Sequence, residues 1–270
     1  MKRRSLLKVF SVLATGAALT LSAGAHAEDK VIKVGTVAGP DAEVWQLVQK
    51  VAKEKEGLNV KVIEFNDYVQ PNAALDSGDL DANSFQHQPY LDSQVKQRGY
   101  KIVSAGLTYI SPIGVYSKKF KTLKDLPQGA KLAVPNDPSN ENRALLLQTQ
   151  GVIKLKAGAG TGGNNATVLD IAENPKKLKI SELDAAQLPR VLSDVDAAVI
   201  NTNYALAANL QPTKDAIALE SLTSPYANLI AVRAKDKDQP WVKKLVKAYQ
   251  SPEVREFIKK QFKGSMVASF

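Results

Sequence analysis

The chain has 270 residues, 36 basic and 27 acidic, a formal net charge of +9, and no cysteine. The missing thiol excludes a disulfide framework, a cysteine nucleophile, a zinc-finger-type metal site and a lipid-bearing cysteine. The basic surplus is spread along helix faces such as VQKVAKEKEG and WVKKLVKAY, the pattern of a solvated surface rather than a nucleic-acid patch.

Lys2, Arg3 and Arg4 precede an apolar run from Val9 to Leu21 and then AGAHA, with Ala25 and Ala27 at the small positions of a signal-peptidase site. The run is shorter than the roughly 20 residues a membrane helix needs. Residues 1–27 are therefore expected to be a cleaved export signal, by the general or, given RRSLLK, the twin-arginine route, with a soluble periplasmic chain to follow. Cleavage removes four of the 36 basic residues and none of the 27 acidic ones, leaving a net charge of +5.

VIKVGTV reads as a buried strand, and AEVWQLVQKVAKEKEG as an amphipathic helix with its stripe at Val44, Leu47, Val48 and Val51. NVKVIEF is a strand, VQPNAALDSG a helix, LDANSFQ a strand and PYLDSQVKQRG a helix, an alternation that signals a parallel sheet. After an extended piece, LTYISPIGVYSKK, the pattern restarts: KLAVPND a strand, SNENRALLLQTQG a helix, KISELDA a strand, AQLPRVLSD a helix, AAVINTNYALAANL a strand running into a helix. A second extended piece, ALESLTSPYANLIAVRAKD, leads to two closing helices, expected to pack back on the first lobe. No sequence repeat is evident. The fold expected is α/β with two lobes, residues 28–111 plus 225–270 and residues 112–224, joined by two extended crossovers with a ligand cleft between them.

Ligands of open parallel sheets sit beyond the carboxyl ends of the strands. Those positions here are short of acids and bases and rich in amides and aromatics. Arg143, near the start of a helix, opposes the helix dipole, so it is expected to join the helix N–H groups in a two-pronged carboxylate clamp; the alternative is a surface arginine paired with Glu141. Asn201, Asn203 and Asn228 offer donor and acceptor together and suit the ends of an amino acid, or else cap and turn. Tyr68, Phe85, Tyr90 and Tyr109 suit an apolar slot, or else the core. His87 lacks a second histidine or a cysteine for a metal and has no nucleophile elbow near it. It reads as a neutral pocket contact or a loop-fixing histidine. No cofactor motif is present: the glycine stretch GAGTGG at 158–163 lacks the GK[ST] ending of a phosphate loop.

FNDYVQPNAAL, DANSFQHQPYL, AVPNDPSN, TVLDIAENPKKLKI, ELDAAQLPR, AVINTNYA and SPYANLI, in this order from about Val31 to the C-terminus, resemble the methionine-binding proteins of bacterial ABC importers, the NlpA lipoprotein family. The resemblance implies a type II periplasmic-binding-protein fold, no enzymatic activity and no metal, and a monomer that binds methionine (L- or D-) and meets the membrane only through its permease. It implies Arg143 on the ligand carboxylate, Asn201 and Asn228 on the α-amino and carboxylate groups, and Tyr68, Phe85, His87 and Tyr109 around the thioether. Three departures stand out: no lipid-anchor cysteine, Asn142 where glycine is expected, and Ser111 where bulkier residues are usual. The last two keep open another apolar amino acid or a methionine-containing dipeptide as ligand; a periplasmic hydrolase using His87 is the reading from a different class.

Overall fold

The computed structural model describes residues 30–148, 150–161, 164–223 and 225–270; the expected export signal and its cleavage point lie outside them. The first half opens with β1 (Ile32–Val37), α1 (Pro40–Glu56), β2 (Val60–Phe65), α2 (Gln70–Ser77), β3 (Ala82–His87), α3 (Gln88–Arg98) and β4 (Ile102–Leu107). Proline at the first position of α1 loses no ladder bond there, and Gly57 closes the helix at φ 60°, a left-handed cap that glycine adopts without strain. Between them Val44, Trp45, Val48 and Val51 are buried, so the apolar stripe in the sequence is the packed face.

The chain then crosses through β5 (Tyr109–Ile110) into β6 (Ile113–Tyr116), and continues as β7 (Lys131–Pro135), α4 (Pro138–Gln148), β8 (Lys154–Leu155), β9 (Ile171–Glu173), β10 (Lys179–Leu183), α5 (Leu188–Val191), β11 (Ala197–Asn201), α6 (Thr202–Ala207), α7 (Pro212–Asp215) and β12 (Ala216–Leu219). It returns through residues 220–227 to β13 (Asn228–Arg233) and ends with α8 (Pro240–Tyr249), α9 (Pro252–Phe262) and β14 (Val267–Ala268).

Two five-stranded sheets result, ordered β2-β1-β3-β13-β4 and β10-β7-β11-β6-β12. In each, three parallel strands are followed by one that arrives from the other half of the chain and runs antiparallel: β13 against β3 and β4, β6 against β11 and β12. The topology is duplicated although no repeat is visible in the sequence. Val242, Leu245, Val254 and Ile258 of α8 and α9 share one buried cluster with Ile32, Val34, Trp45 and Val48, so the C-terminal helices cover the first sheet. Among the described residues no helix is long and apolar enough to cross a membrane.

Several elements depart from the sequence reading. The helix expected over AQLPRVLSD is a 3-10 turn followed by the four residues of α5, because Pro189 has no N–H with which to continue the ladder. No element is expected from the sequence over β4, and β8 with β9, of two and three residues, are too short to carry a period.

Candidate functional site

The carboxyl ends of β3, β7 and β11 meet at one cavity. Its walls are Tyr68, Phe85, Gln86, His87, Tyr90, Tyr109, Ser111, Asn140, Arg143, Asn201, Thr202, Asn203 and Asn228. All seven residues singled out for the ligand, Arg143, Asn201, Asn228, His87, Phe85, Tyr68 and Tyr109, therefore line one space. Asn228, first residue of β13, stands opposite His87 in the register of β3. Asn142 does not line the cavity: its amide bridges the Tyr226 hydroxyl and the Ala166 N–H behind α4.

Arg143 is buried, 4% exposed, in the second turn of α4. Its fork is already engaged. Nε donates to Glu220 Oε1 at 3.2 Å and Nη2 to Glu220 Oε2 at 2.5 Å, while Nη2 also reaches the Ser111 carbonyl at 3.0 Å and Nη1 reaches Asn140 Oδ1 at 3.1 Å. The Tyr226 ring lies 4.6 Å from the guanidinium carbon. The expected two-pronged clamp on a ligand is thus corrected, since Glu220 takes the two-pronged position and one Nη1 hydrogen remains. Nor is the start of α4 an open anion site, because Asp137 caps it by accepting the Asn140 N–H at 3.0 Å. Burial raises the Asp137 carboxyl above its usual range, against the donors from Asn140 and Ser139.

Asn140 is the hub. Its Nδ2 donates to both Asp137 oxygens at 3.1 and 2.9 Å, which fixes its Oδ1 toward Arg143, Asn201 Nδ2 at 2.9 Å and His87 Nε2 at 3.3 Å. The amide of Asn201 is oriented in turn, and its Oδ1 is buried without a partner. Asn203 is oriented from the other side: Tyr68 donates its hydroxyl to Asn203 Oδ1 at 2.6 Å, leaving Asn203 Nδ2 buried and unpartnered. These assignments follow from hydrogen-bond logic. His87 Nδ1 accepts the Tyr90 N–H at 3.2 Å and caps α3, so Nε2 carries the proton. Burial, then the Arg143 charge, pushes His87 down to about 3, and the ring is neutral at ordinary pH.

The apolar side of the cavity is built from rings. Tyr68 lies 5.9 Å from Phe85 and 6.1 Å from Tyr90, and Phe85 lies 5.9 Å from Tyr90, centroid to centroid, tilted or edge-on as aromatic pairs prefer. Tyr109 donates its hydroxyl to the buried Asp41 near the start of α1. Burial pushes Asp41 up to about 7, against that hydrogen bond. Among the described residues no cluster of three or more His, Asp or Glu stands where it could hold a metal.

This arrangement of an amide-and-guanidinium end and a ring-lined end has close relatives. The family model described as NlpA lipoprotein matches residues 32–270. The chain belongs to the NlpA lipoprotein family. The D-methionine-binding lipoprotein MetQ of Escherichia coli strain K12 is 55% identical over 239 residues, 87% of each chain. The probable D-methionine-binding lipoprotein MetQ of Vibrio cholerae is 48% identical over 266 residues, 97% of this chain and 98% of the relative. The solved structure of a nutrient binding protein from Burkholderia cenocepacia bound to methionine is 98% identical, with a TM-score of 0.87, covering 88% of this chain and all of that one. The two-lobed α/β fold is that of the periplasmic binding proteins of the NlpA lipoprotein family.

Sequence reasoning missed Asn140, Glu220, Asp41 and Tyr226. Asn140 was within reach, since it lies three residues before Arg143 and hence on the same helix face. Glu220 had no such signal, being 77 residues from its partner.

Proposed function

We propose that this NlpA lipoprotein family member is the solute-binding protein of an ABC importer, that it captures methionine in the cavity between its lobes, and that it delivers it to the permease. The observation that carries the reading is the pair of buried, unpartnered amide atoms, Asn201 Oδ1 and Asn203 Nδ2, on walls shared with the free Nη1 hydrogen of Arg143 and the ring-lined slot. An acceptor for an ammonium, donors for a carboxylate and an apolar sleeve together match an amino acid with an unbranched apolar tail. Sulfur against aromatic edges adds about 0.3–1.5 kcal/mol, and hydrogen bonds to the charged ends about 1.5–3 kcal/mol each. The relatives named for D-methionine and the methionine-bound neighbour support the same ligand.

Residues 28–111 with 225–270, and residues 112–224, are the two bodies that open and close by bending at the crossings. Both nitrogens of His87 are engaged in structural hydrogen bonds, which leaves the ring no proton-transfer role. Cleavage after Ala27 and the lack of a cysteine make the mature protein free in the periplasm. The test is calorimetry of the mature chain with L-methionine, D-methionine and alanine, beside mass spectrometry of ligand released on denaturation. Methionine binding with alanine silent is expected, and a ligand at 100 times its Kd adds about 2.7 kcal/mol of stability. Equal ranking of methionine and alanine would overturn the slot.

A further inference from the structure

Among the described residues that wall the cavity, Arg143 is the only charged one, and left alone it would make the site select anions. It is not alone. Glu220, at the start of the return crossing and not itself among the cavity walls, meets its Nε and Nη2 and also accepts the Ile113 N–H at 3.1 Å. Arg143 is buried and Glu220 mostly so, with side chains 4% and 12% exposed, so water screens the pair little. Asp41 and Asp137, two further acids near the cavity, hydrogen-bond to Tyr109 and to Ser139 and Asn140; neither hydrogen-bonds to the guanidinium, and any charge they carry acts in the same sense as that of Glu220.

We propose that Glu220 is a specificity-determining residue that cancels the Arg143 charge and fills its fork, so that the site accepts a net-neutral amino acid and rejects the anion that lacks the ammonium. This rests on the methionine reading above. The remaining Nη1 hydrogen still gives directional recognition of a carboxylate, but without the net positive charge that would reward any acid. An anionic ligand then meets a site with no charge to spare and leaves Asn201 Oδ1 without a donor.

The experiment uses the full mature chain and two probes with the same tail: methionine, net neutral, and methylthiobutanoate, its deaminated anion. Wild type is expected to prefer methionine. Glu220→Gln is expected to shift the ratio of the two Kd values toward the anion by about tenfold or more, the effect of one uncompensated charge in a buried site. The double variant Arg143→Gln with Glu220→Gln, which removes both charges, is expected to hold the wild-type ratio within about threefold even if Kd values rise. A merely structural Glu220 would lower both affinities together, and an unmoved ratio in folded Glu220→Gln overturns the proposal. Should that variant not fold, the double variant decides: a ratio that moves by about tenfold or more overturns the proposal, and a ratio that holds supports it. Wild type binding neither probe would overturn the methionine reading and this proposal with it, whereas methionine binding with an unmoved ratio overturns only the charge filter.

Discussion

Asn140→Ala is the substitution that best tests how the site is assembled. It removes the acceptor for Arg143 Nη1, Asn201 Nδ2 and His87 Nε2, and the donor to both oxygens of Asp137. A buried donor left unsatisfied costs about 1–3 kcal/mol. His87 contributes least because its bond is the longest at 3.3 Å, and water entering the vacated amide space recovers part of the rest. The net loss of stability should be about 2–4 kcal/mol, a large part of an ordinary total of about 5–15. Affinity should fall as well, because the amide of Asn201 is then free to turn its nitrogen where Oδ1 now stands. Loss of one hydrogen bond to a charged group, about 1.5–3 kcal/mol, corresponds to roughly 10- to 150-fold in Kd. Urea unfolding reads the first quantity, with an unchanged m-value showing that the compact state persists, and calorimetry with methionine reads the second. A folded variant binding within about threefold of wild type would refute the reasoning, since the ligand-directed amide would then need no hub to orient it.

Arg143→Ala should weaken methionine binding by about tenfold or more and also destabilise the fold by about 3–5 kcal/mol, because it strands Glu220 with only the Ile113 N–H; a variant as stable as wild type in urea would contradict the ion pair. Asp41→Asn should flatten the dependence of stability on pH. The folded carboxyl is raised to about 7 from an ordinary 3.8, so its contribution is full below the lower value and lost as pH rises through the upper one. Wild type should lose as much as about 4 kcal/mol from this group between pH 4 and pH 8, and parallel urea profiles for the two proteins would refute it. Phe85→Ala should narrow the preference for methionine over alanine more than His87→Gln does, as calorimetry with both ligands would show, because Phe85 is a wall of the ring-lined slot while His87 mainly caps α3 and braces Asn140.

Much of the fold was legible because strands and helices of the parallel halves carry distinct periods. Val44, Val48 and Val51 recur at helical spacing and are buried, and β11 is an apolar run that ends in Asn201 of the site. Arg143, Asn201 and His87 were findable for the same reason: they sit where parallel strands end. What escaped has a common physical cause. The topological duplication of the two sheets is a property of strand order, which sequence similarity need not follow. Glu220, Asp41 and Tyr226 matter through contacts made across the chain, and no local pattern marks the far partner of a tertiary hydrogen bond. Even the arginine was read with the right address and the wrong geometry, because its spacing on α4 shows a cation near a helix start and says nothing of the carboxylate that meets it from the second crossing.

The groups facing the cavity are held from behind, and the source of each hold separates the halves of the site. Asn140, Asn201, Arg143 and Asp137 all belong to the second sheet and its helices and fix one another, with Glu220 and Ser111 of the crossings completing the cage. That polar half needs nothing from the first sheet. By contrast, Asn203 is oriented by Tyr68 and Asn140 meets His87 only across the gap between the sheets, and the rings that sheath an apolar tail come largely from β3 and its neighbours. Under the proposed function, opening the cleft would dismantle the tail-binding side and the Tyr68–Asn203 brace while leaving the guanidinium and Asn201 Oδ1 in place. Under the proposed function the head of the ligand meets a finished surface and the tail an unfinished one. Closure is then stabilised in proportion to the apolar length that the rings can cover, which is how a rigid polar half can treat amino acids alike at first contact and the closing half can tell methionine from alanine.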